Sequence, residues 1–363
     1  RYEGMRVRIS GSTGPLVVTD NYYLGRYGTV SLSDSEKLVQ YTELNAPSVA
    51  GNTAYLETVK RSQIILDDGS SKQNPDAVLG RSGQDLSAGN TLRAGDSTAA
   101  IEGILDHFID TTAGAHQTSY RLQPLQKPVF SGAARPTVAD LQQAIGSPTV
   151  KLASANVLNF FSTLGTTKFP NPYGDQLEGR GADNAVELTR QTDKIVSNLL
   201  GLDADVYGLM EIQNNGFDNA SALAALTQAM NAKHGSDVYD YVKGPFNAGG
   251  GKTAVAAGRD AISVAVLYRK DRVTPVGVPA VPDEAQYDAF NATYGNRMPL
   301  AQTFEKTLAG GGKDQFTVVV NHLKSKGSVN DPDIGDGQGA NNQSRSRAVQ
   351  QLQTWLAGNP TQA

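Results

Sequence analysis

The chain has 363 residues, of which 39% are hydrophobic and 38 are glycine, a composition typical of a globular, loop-rich protein of about two or three domains. It contains no cysteine, which excludes disulfides and thiolate metal sites, and no apolar run approaches the roughly 18 residues of a membrane-spanning helix. The net charge of −4 argues against a large, non-specific phosphate-binding surface, but not against a nuclease whose bound metals supply positive charge. The sequence begins at Arg1 and has no signal peptide, so we expect a piece of a longer chain.

The N-terminal region contains short strands separated by turn signals. Alternation or short apolar runs predict strands at Tyr2–Ile9, Leu16–Thr19, Gln63–Leu66 and Tyr120–Pro124. Asn45–Ala54 contains small and polar residues and is interpreted as a loop. Short strands with frequent turns and little helix predict a small all-β barrel.

Three tyrosines in this region, Tyr22, Tyr23 and Tyr27, have two interpretations. They could stack on the bases of a single-stranded nucleic acid, as aromatic residues of small barrels often do. They could equally pack the barrel itself. The sequence leaves both open.

After a proline-rich linker, the pattern changes to strands that alternate with helices. Helical spacing of apolar residues appears in Gly181–Leu200, Ser221–His234 and Arg345–Leu356. This alternation predicts a layered α/β domain.

Three predicted strands of this domain each deliver a polar group near one end. Lys151–Phe161 is interpreted as a buried strand that contains Asn156, Asp205–Ile212 ends in Glu211, and Phe316–Lys326 leads into Asn321 and His322. A buried amide or carboxylate must be paired or placed for chemistry. The pattern therefore favours one shared site.

These stretches, in this order, resemble the endonuclease/exonuclease/phosphatase superfamily, and within it the extracellular bacterial endonucleases. The residues that carry the resemblance are Ser154–Phe161, Arg190–Ile195, Asp203–Gly216, Gly258–Arg269, Asn296–Phe304 and Asn321–Gly327. The resemblance implies an OB-like barrel (1–125), a Pro-rich linker (126–148) and a nuclease domain (149–363). The nuclease domain would be an incomplete α/β four-layer sandwich, with two packed mixed sheets flanked by helices.

The resemblance also implies the chemistry of the site. Glu211 and Asn156 would hold Mg²⁺ or Mn²⁺, and His322 would contact the scissile phosphate and share acid/base work. Asp260 would orient His322. The phosphate would be bound by Arg297, Lys324 and Asn321. The implied activity is cleavage of nucleic acid, DNA foremost, outside the cell or at its surface.

A Gly-rich loop near the end of the sequence contains Asp331, Asp333 and Asp336. Oxygen ligands at near-alternate positions suit Ca²⁺, although the spacing is not that of an EF-hand. We interpret the loop as either a Ca²⁺ site or an unliganded acidic loop.

The resemblance is incomplete. The superfamily continues with a strand ending in Gly-Asp-x-Asn and with a Ser-Asp-His ending, which supply an acidic metal ligand and a second histidine, and neither occurs in this sequence. We therefore expect the C-terminal part of the domain to be missing and the 363 residues alone to be inactive.

Two alternative functions stay open. A phosphomonoesterase or lipid phosphodiesterase of the same superfamily would share these motifs, because a fold does not fix a substrate. A non-catalytic nucleic-acid-binding protein would use the OB-like barrel instead. The sequence does not indicate the oligomeric state.

Overall fold

The residues that the structure describes form a mixed α/β fold with four sheets. A computed structural model describes residues 2–70, 72–75, 77–87, 89–110, 117–291, 295–327 and 331–363. Contacts divide the chain into two compact units, the first formed by Arg1–Arg135 with Ile334–Gly339 and the second by Pro136–Asp333 with Ala340–Ala363. The predicted domain boundaries at residues 125 and 148 stay predictions. Among the described helices, none has the length and apolar character needed to cross a membrane.

The first unit is built on a seven-stranded sheet. Its strands are β1 (Arg6–Ser10), β2 (Leu16–Asp20), β3 (Val30–Asp34), β4 (Gln63–Leu66), β5 (Ser97–Thr98), β6 (Ala100–Asp110) and β7 (Gln117–Pro124). Its helices are α1 (Leu24–Tyr27), α2 (Tyr41–Leu44) and α3 (Val49–Ser62), with a 3-10 turn at Arg81–Gly83. The strand order is β1-β6-β7-β4-β3-β2-β5, antiparallel except for the β4–β7 pair.

The predicted closure of this sheet into a barrel is not confirmed. In the described residues β1 and β5 lie at the two edges of the sheet and do not pair with each other. One face nonetheless encloses a continuous apolar core, which includes Val18, Leu32, Leu122 and Phe130, all fully buried. The sheet therefore covers an apolar core of its own.

The loop predicted at Asn45–Ala54 is wrong for most of its length, since Val49–Ser62 forms α3. Small and polar residues hid the helix because it has no fully buried side chain and hence little apolar periodicity. The Ser48 side chain caps it by accepting a hydrogen bond from the Gly51 N–H. The Tyr55 hydroxyl fixes it from the other side by donating to the Val39 carbonyl.

The second unit contains the remaining elements. Its strands are β8 (Leu152–Phe160), β9 (Lys168–Pro170), β10 (Gln176–Glu178), β11 (Val206–Gln213), β12 (Tyr239–Tyr241), β13 (Phe246–Gly249), β14 (Lys252–Ala254), β15 (Ile262–Arg269), β16 (Thr274–Ala280), β17 (Leu300–Thr307) and β18 (Lys313–Val320). Its helices are α4 (Val138–Ile145), α5 (Ala185–Leu202), α6 (Ala222–His234) and α7 (Asn342–Ala357), with a 3-10 turn at Asp288–Phe290. The strands predicted around β8, β11 and β18 and the helices predicted around α5, α6 and α7 are confirmed, with ends shifted by a few residues.

Two sheets face each other in this unit. The first has the order β12-β15-β11-β8 and the second the order β14-β13-β16-β17-β18, while β9 and β10 form a separate hairpin. Side chains of β11 alternate between two cores: Tyr207 and Leu209 pack with α5 and α6, and Val206 packs against the second sheet. Trp355 of α7 packs on the second sheet with Ala280 and Ala301.

Strand β8 differs from its prediction as a buried strand. Among the described strands it forms the edge of its sheet beside β11, and it leaves Leu152 58% and Leu158 74% exposed. Asn156 is also exposed. An apolar run cannot by itself distinguish an edge strand from a central one, because burial is decided by the neighbours.

Gly208 of β11 faces Val320 of β18 between the two sheets. A Cβ atom at Gly208 would lie 2.9 Å from a Val320 methyl carbon. Glycine is therefore required for this approach, a common reason for glycine inside a strand. Because Val320 directly precedes Asn321 and His322, the contact also sets the depth at which those residues leave β18.

We expect Gly208→Ala to destabilise the protein by about 1–3 kcal/mol, since it overpacks the interface of the two sheets. Combining it with Val320→Ala should cost less than the sum of the single changes, because the second change removes the clashing methyl groups. Urea unfolding of the four proteins measures this coupling. Additive free energies would contradict close packing at this point.

Candidate active site

Glu211 projects from a bulge at which β8 and β11 separate. Met210 is paired with Asn156 and Ile212 with Phe160, so that one residue of β11 opposes three of β8. On its other side β11 continues to pair with β15, again with a shift of register between Met210 and Ile212. The irregularity places the Glu211 side chain beside the end of β8.

The backbone at this bulge is left-handed at three residues that are not glycine. Glu211 has a φ of 66°, Leu158 a φ of 51° and Asn159 a φ of 52°. The left-handed region costs an L-residue about 1–2 kcal/mol, and such residues persist where the surroundings fix them. Strain of this kind is concentrated at functional sites, so the bulge is a candidate active site.

Two groups of β8 hold the Glu211 carboxylate. The Asn156 side chain donates from Nδ2 to Glu211 Oε1 at 2.7 Å, and the Asn159 N–H donates to Oε2 at 3.2 Å. Asn156 Oδ1 in turn accepts from the Leu158 N–H at 2.8 Å. Asn156 thus positions the Glu211 carboxylate, and the role of its own oxygen as a metal ligand stays a prediction.

His322 approaches the same carboxylate from the second sheet. Its Nε2 lies 3.7 Å from Glu211 Oε1, too far for a hydrogen bond, and its side chain is 23% exposed. Its Nδ1 is buried and has no hydrogen-bond partner among the described residues. Asn156, Glu211 and His322 are therefore brought together, as predicted, although they lie far apart in the sequence.

Burial lowers the pKa of His322 below its ordinary value of 6.5, and the positive charge of Arg297 adds to this effect. The Glu211 and Asp260 carboxylates oppose it without cancelling it. The imidazole is therefore neutral at pH 7. A neutral ring can accept a proton or donate one hydrogen bond, as a general base or phosphate contact requires.

Asp260 interacts with arginines rather than with His322. It forms a salt bridge with Arg297 Nη2 at 2.8 Å and accepts a hydrogen bond from Arg180 Nη2 at 3.2 Å. No hydrogen bond joins Asp260 to His322 in the described part of the chain, so the predicted orienting contact is absent from this structure. Arg297 lies next to His322 instead, and its backbone N–H donates to the His322 carbonyl at 3.1 Å.

The other predicted phosphate contacts lie beside this group. Asn321 donates to the Val319 carbonyl, and its buried Oδ1 has no partner among the described residues. The Lys324 amine lies beside Gly295, where a Cβ would be 3.0 Å from Nζ. Arg297 Nε is likewise buried and unpaired within the described ranges. Three neighbouring residues, Arg297, Asn321 and His322, thus each present an unsatisfied polar atom.

One aspartate of the acidic loop caps helix α7. Asp331 accepts from the N–H and the hydroxyl of Ser344, both at 2.8 Å, and the Ser344 backbone bond lowers the pKa of this carboxyl. These bonds cap the N-terminus of α7. Asp336 belongs to the first unit and accepts from the N–H and side chain of Gln338, while Asp333 belongs to the second. The Ca²⁺ site at these three residues stays a prediction.

The donor atoms around Glu211 suit a hard divalent cation that is held by one protein carboxylate and completed by water and substrate phosphates. Within the described residues no group of three or more His, Asp or Glu side chains could hold a metal, so an all-protein cage is not present there. The Glu211 carboxylate uses two of its roughly four acceptor positions. Mg²⁺ is usually held by one or two carboxylates together with water and substrate phosphates, which a single Glu211 can satisfy.

Arg180 and Asn159 belong to the site, and the sequence analysis missed both. Arg180 bonds to the Asn159 side chain at 3.2 Å as well as to Asp260. Its position between two glycines, after the β9–β10 hairpin, gave no periodic signal. Asn159 lay three residues after Asn156 and could have been found, since a second amide in a strand also requires a partner.

The chain was compared with known proteins. No family model matches it, and no curated protein matches it significantly. The function must therefore be argued from the site itself.

The left-handed backbone at Glu211 can be tested with two substitutions that remove the same side chain. Glycine normally costs about 0.5–1 kcal/mol relative to alanine, but a left-handed position reverses this preference. We expect Glu211→Gly to be at least as stable as Glu211→Ala in urea unfolding. At Met210, which does not have a positive φ, the corresponding alanine variant should be the more stable one. If the alanine variant were the more stable one at both positions, the left-handed conformation of Glu211 would be contradicted.

The lowered pKa of His322 predicts a pH-dependent stability. The unfolded chain takes up its proton near 6.5, whereas the folded protein does so only at lower pH, so stability falls as the pH drops through 6.5. His322→Gln should reduce this loss of stability below pH 6.5. Above pH 6.5 it should not change how the free energy of unfolding depends on pH. Urea unfolding at several pH values measures it, and an identical slope in the variant would contradict the burial of a neutral imidazole.

Proposed function

We propose that the chain is a divalent-metal-dependent nuclease that acts on phosphodiester bonds of nucleic acid, DNA foremost. One observation carries the proposal: Asn156, Glu211 and His322 meet at the same end of two facing sheets, around a carboxylate held in a strained bulge. Convergence of an acid, an amide and an imidazole from distant strands is the arrangement expected of a site for chemistry.

Glu211 would hold the metal, with Asn156 and Asn159 fixing its carboxylate. A bound Mg²⁺ or Mn²⁺ would neutralise phosphate charge and stabilise the leaving oxygen. Because the two asparagines bond to different carboxylate oxygens, Glu211 cannot rotate freely, and the remaining acceptor positions point in fixed directions.

The surrounding charges favour an anionic substrate. Arg180, Arg297 and Lys324 provide three cations near two carboxylates, Glu211 and Asp260, and His322 is neutral at pH 7. Arginine binds phosphate oxygens through two parallel hydrogen bonds. Arg297 Nε and His322 Nδ1 are the buried donors or acceptors with capacity to spare for such oxygens.

The fold supports the same proposal at a finer level. Helices α5 and α6 pack on the outer face of one sheet and α7 packs on the other sheet, as a four-layer sandwich would require. We propose that the second unit is such a sandwich and that the sheet of the first unit is an OB-like barrel. Secretion belongs to the proposal only through the resemblance to extracellular endonucleases.

For the 363 residues alone we expect binding of metal and phosphate rather than turnover. In the described part of the chain one histidine and two carboxylates are present at the site, and one of the carboxylates, Asp260, is paired with two arginines. An in-line hydrolysis needs groups both to activate water and to protonate the leaving oxygen. The decisive experiment therefore measures binding.

We expect a short labelled DNA duplex to bind the chain in the presence of Mn²⁺ and to be released by EDTA. Glu211→Gln should weaken this metal-dependent binding by about tenfold or more, since it removes a charge-assisted contact. Glu178→Gln, at an exposed position of β10, is the matched control and should bind as the parent does.

Other results would favour other functions. Binding that survives both EDTA and Glu211→Gln would overturn a metal site and indicate a non-catalytic nucleic-acid-binding protein. Equal competition by a mononucleotide or by an inositol phosphate would indicate a phosphomonoesterase or a lipid phosphodiesterase.

A further inference from the structure

The first unit contains a cleft that the proposed nuclease site does not use. It has a volume of about 510 Å³ and is lined by residues of β2, β3, β4, β6, β7 and the segment around α1. That volume lies in the range of sites for small organic ligands, which is about 300–1,000 Å³. The cleft is formed entirely by residues of the first unit.

Aromatic rings dominate one wall of the cleft. Tyr22 is 80% exposed and Tyr23 46% exposed, so these two rings do not pack the core, which removes the packing interpretation for them. Tyr22 contacts Tyr23 edge to face at 4.9 Å between ring centres, and Tyr23 contacts Tyr27 at 5.5 Å. The three rings therefore form a continuous aromatic surface.

The backbone fixes this surface in place. Asp20 accepts a hydrogen bond from the Tyr22 N–H at 2.8 Å, and the buried Leu24 anchors α1 in the apolar core. Gly28 ends α1 in a left-handed conformation. Rings that are held by backbone contacts lose little freedom when a ligand stacks on them.

Other lining residues of the cleft present polar groups beside another aromatic ring, that of Phe108. The Arg121 guanidinium lies 3.6 Å above the Phe108 ring centre and pairs with Asp67 at 2.6 Å. Its Nε is buried and has no partner among the described residues. Asp106 and the Gln123 amide, 3.3 Å apart, also line the cleft. A ligand oxygen would satisfy Arg121 Nε, and ligand hydroxyls would bond to Asp106 and Gln123.

The charge of the cleft decides between ligand classes. Its charged lining residues are Asp20, Asp67, Lys72, Asp106 and Arg121, three carboxylates against two cations. Grooves that bind single-stranded nucleic acid are positively charged, because they must neutralise phosphates. A neutral polyhydroxyl ligand has no such requirement, and its sugar rings offer both an apolar face for tyrosine and hydroxyls for acids and amides.

We propose that this cleft binds a neutral oligosaccharide, stacked on Tyr22 and Tyr23 and hydrogen-bonded by Asp106, Gln123 and Arg121. The proposal does not depend on the nuclease site. It assigns to the first unit the recognition of a carbohydrate.

The test is calorimetric and NMR titration of the full chain with three neutral oligosaccharides: cellohexaose, maltohexaose and chitohexaose. We expect at least one to bind. Tyr22→Ala should weaken that binding by about tenfold, since it removes a stacking ring. Tyr22→Phe, which keeps the ring, should bind the sugar as the parent does. Tyr2 is an exposed tyrosine that does not line the cleft, so Tyr2→Ala should not change the binding.

Two results would overturn the proposal. One is the absence of binding by all three sugars. The other is binding of oligothymidylate, weakened by Tyr22→Ala, without binding of any sugar, which would make the cleft a nucleic-acid site. Glu211→Gln should leave sugar binding unchanged, so failure here and failure of the nuclease proposal are distinguishable.

Discussion

The second unit depends on the conformation of one residue, Glu211. If β11 continued as a regular strand through this position, successive side chains would alternate between the two cores and the carboxylate would enter apolar packing. The left-handed bulge breaks the alternation for one residue and turns Glu211 toward β8, where Asn156 and Asn159 satisfy it. The backbone strain of Glu211, at a φ of 66°, allows its carboxylate to be paired. This strain costs far less than the burial of an unpaired carboxylate would.

The position of His322 is set by the packing of Gly208, which lies three residues before Glu211 on β11. Gly208 lets Val320 approach the first sheet, and β18 then ends at the level of the bulge. Hydrogen bonds between the sheets could not fix this depth, because the two sheets are joined through side chains rather than through a shared ladder. The distance between the His322 imidazole and the Glu211 carboxylate therefore depends on Gly208 having no side-chain methyl group in the core.

The sequence predicts strands β8, β11 and β18 and helices α5, α6 and α7 because hydrophobic periodicity determines them locally, whereas shorter strands such as β9, β10 and β12 gave no such signal. It also predicts that Asn156, Glu211 and His322 come together, since polar residues at strand ends need a common explanation. It could not predict that Asp260 pairs with Arg297 and Arg180, because three charges from separate loops form no pattern in one dimension. The exposure of β8 and the existence of α3 were missed for a related reason: both are decided by neighbours and caps rather than by apolar spacing.

The unsatisfied atoms indicate what the site is prepared for. A buried polar atom without a partner costs about 1–3 kcal/mol, and chains rarely keep several together without a compensating role. Arg297 Nε, Asn321 Oδ1 and His322 Nδ1 belong to residues that are adjacent in space, since the Arg297 N–H bonds to the His322 carbonyl. Rotating any one side chain toward water would satisfy it, but Asp260 holds Arg297, and the chain around Val320 is fixed by the contact with Gly208. The unpaired atoms are thus retained by packing. A ligand that offers an oxygen acceptor to Arg297 Nε and a hydrogen-bond donor to Asn321 Oδ1 would gain hydrogen bonds without reorganising the protein.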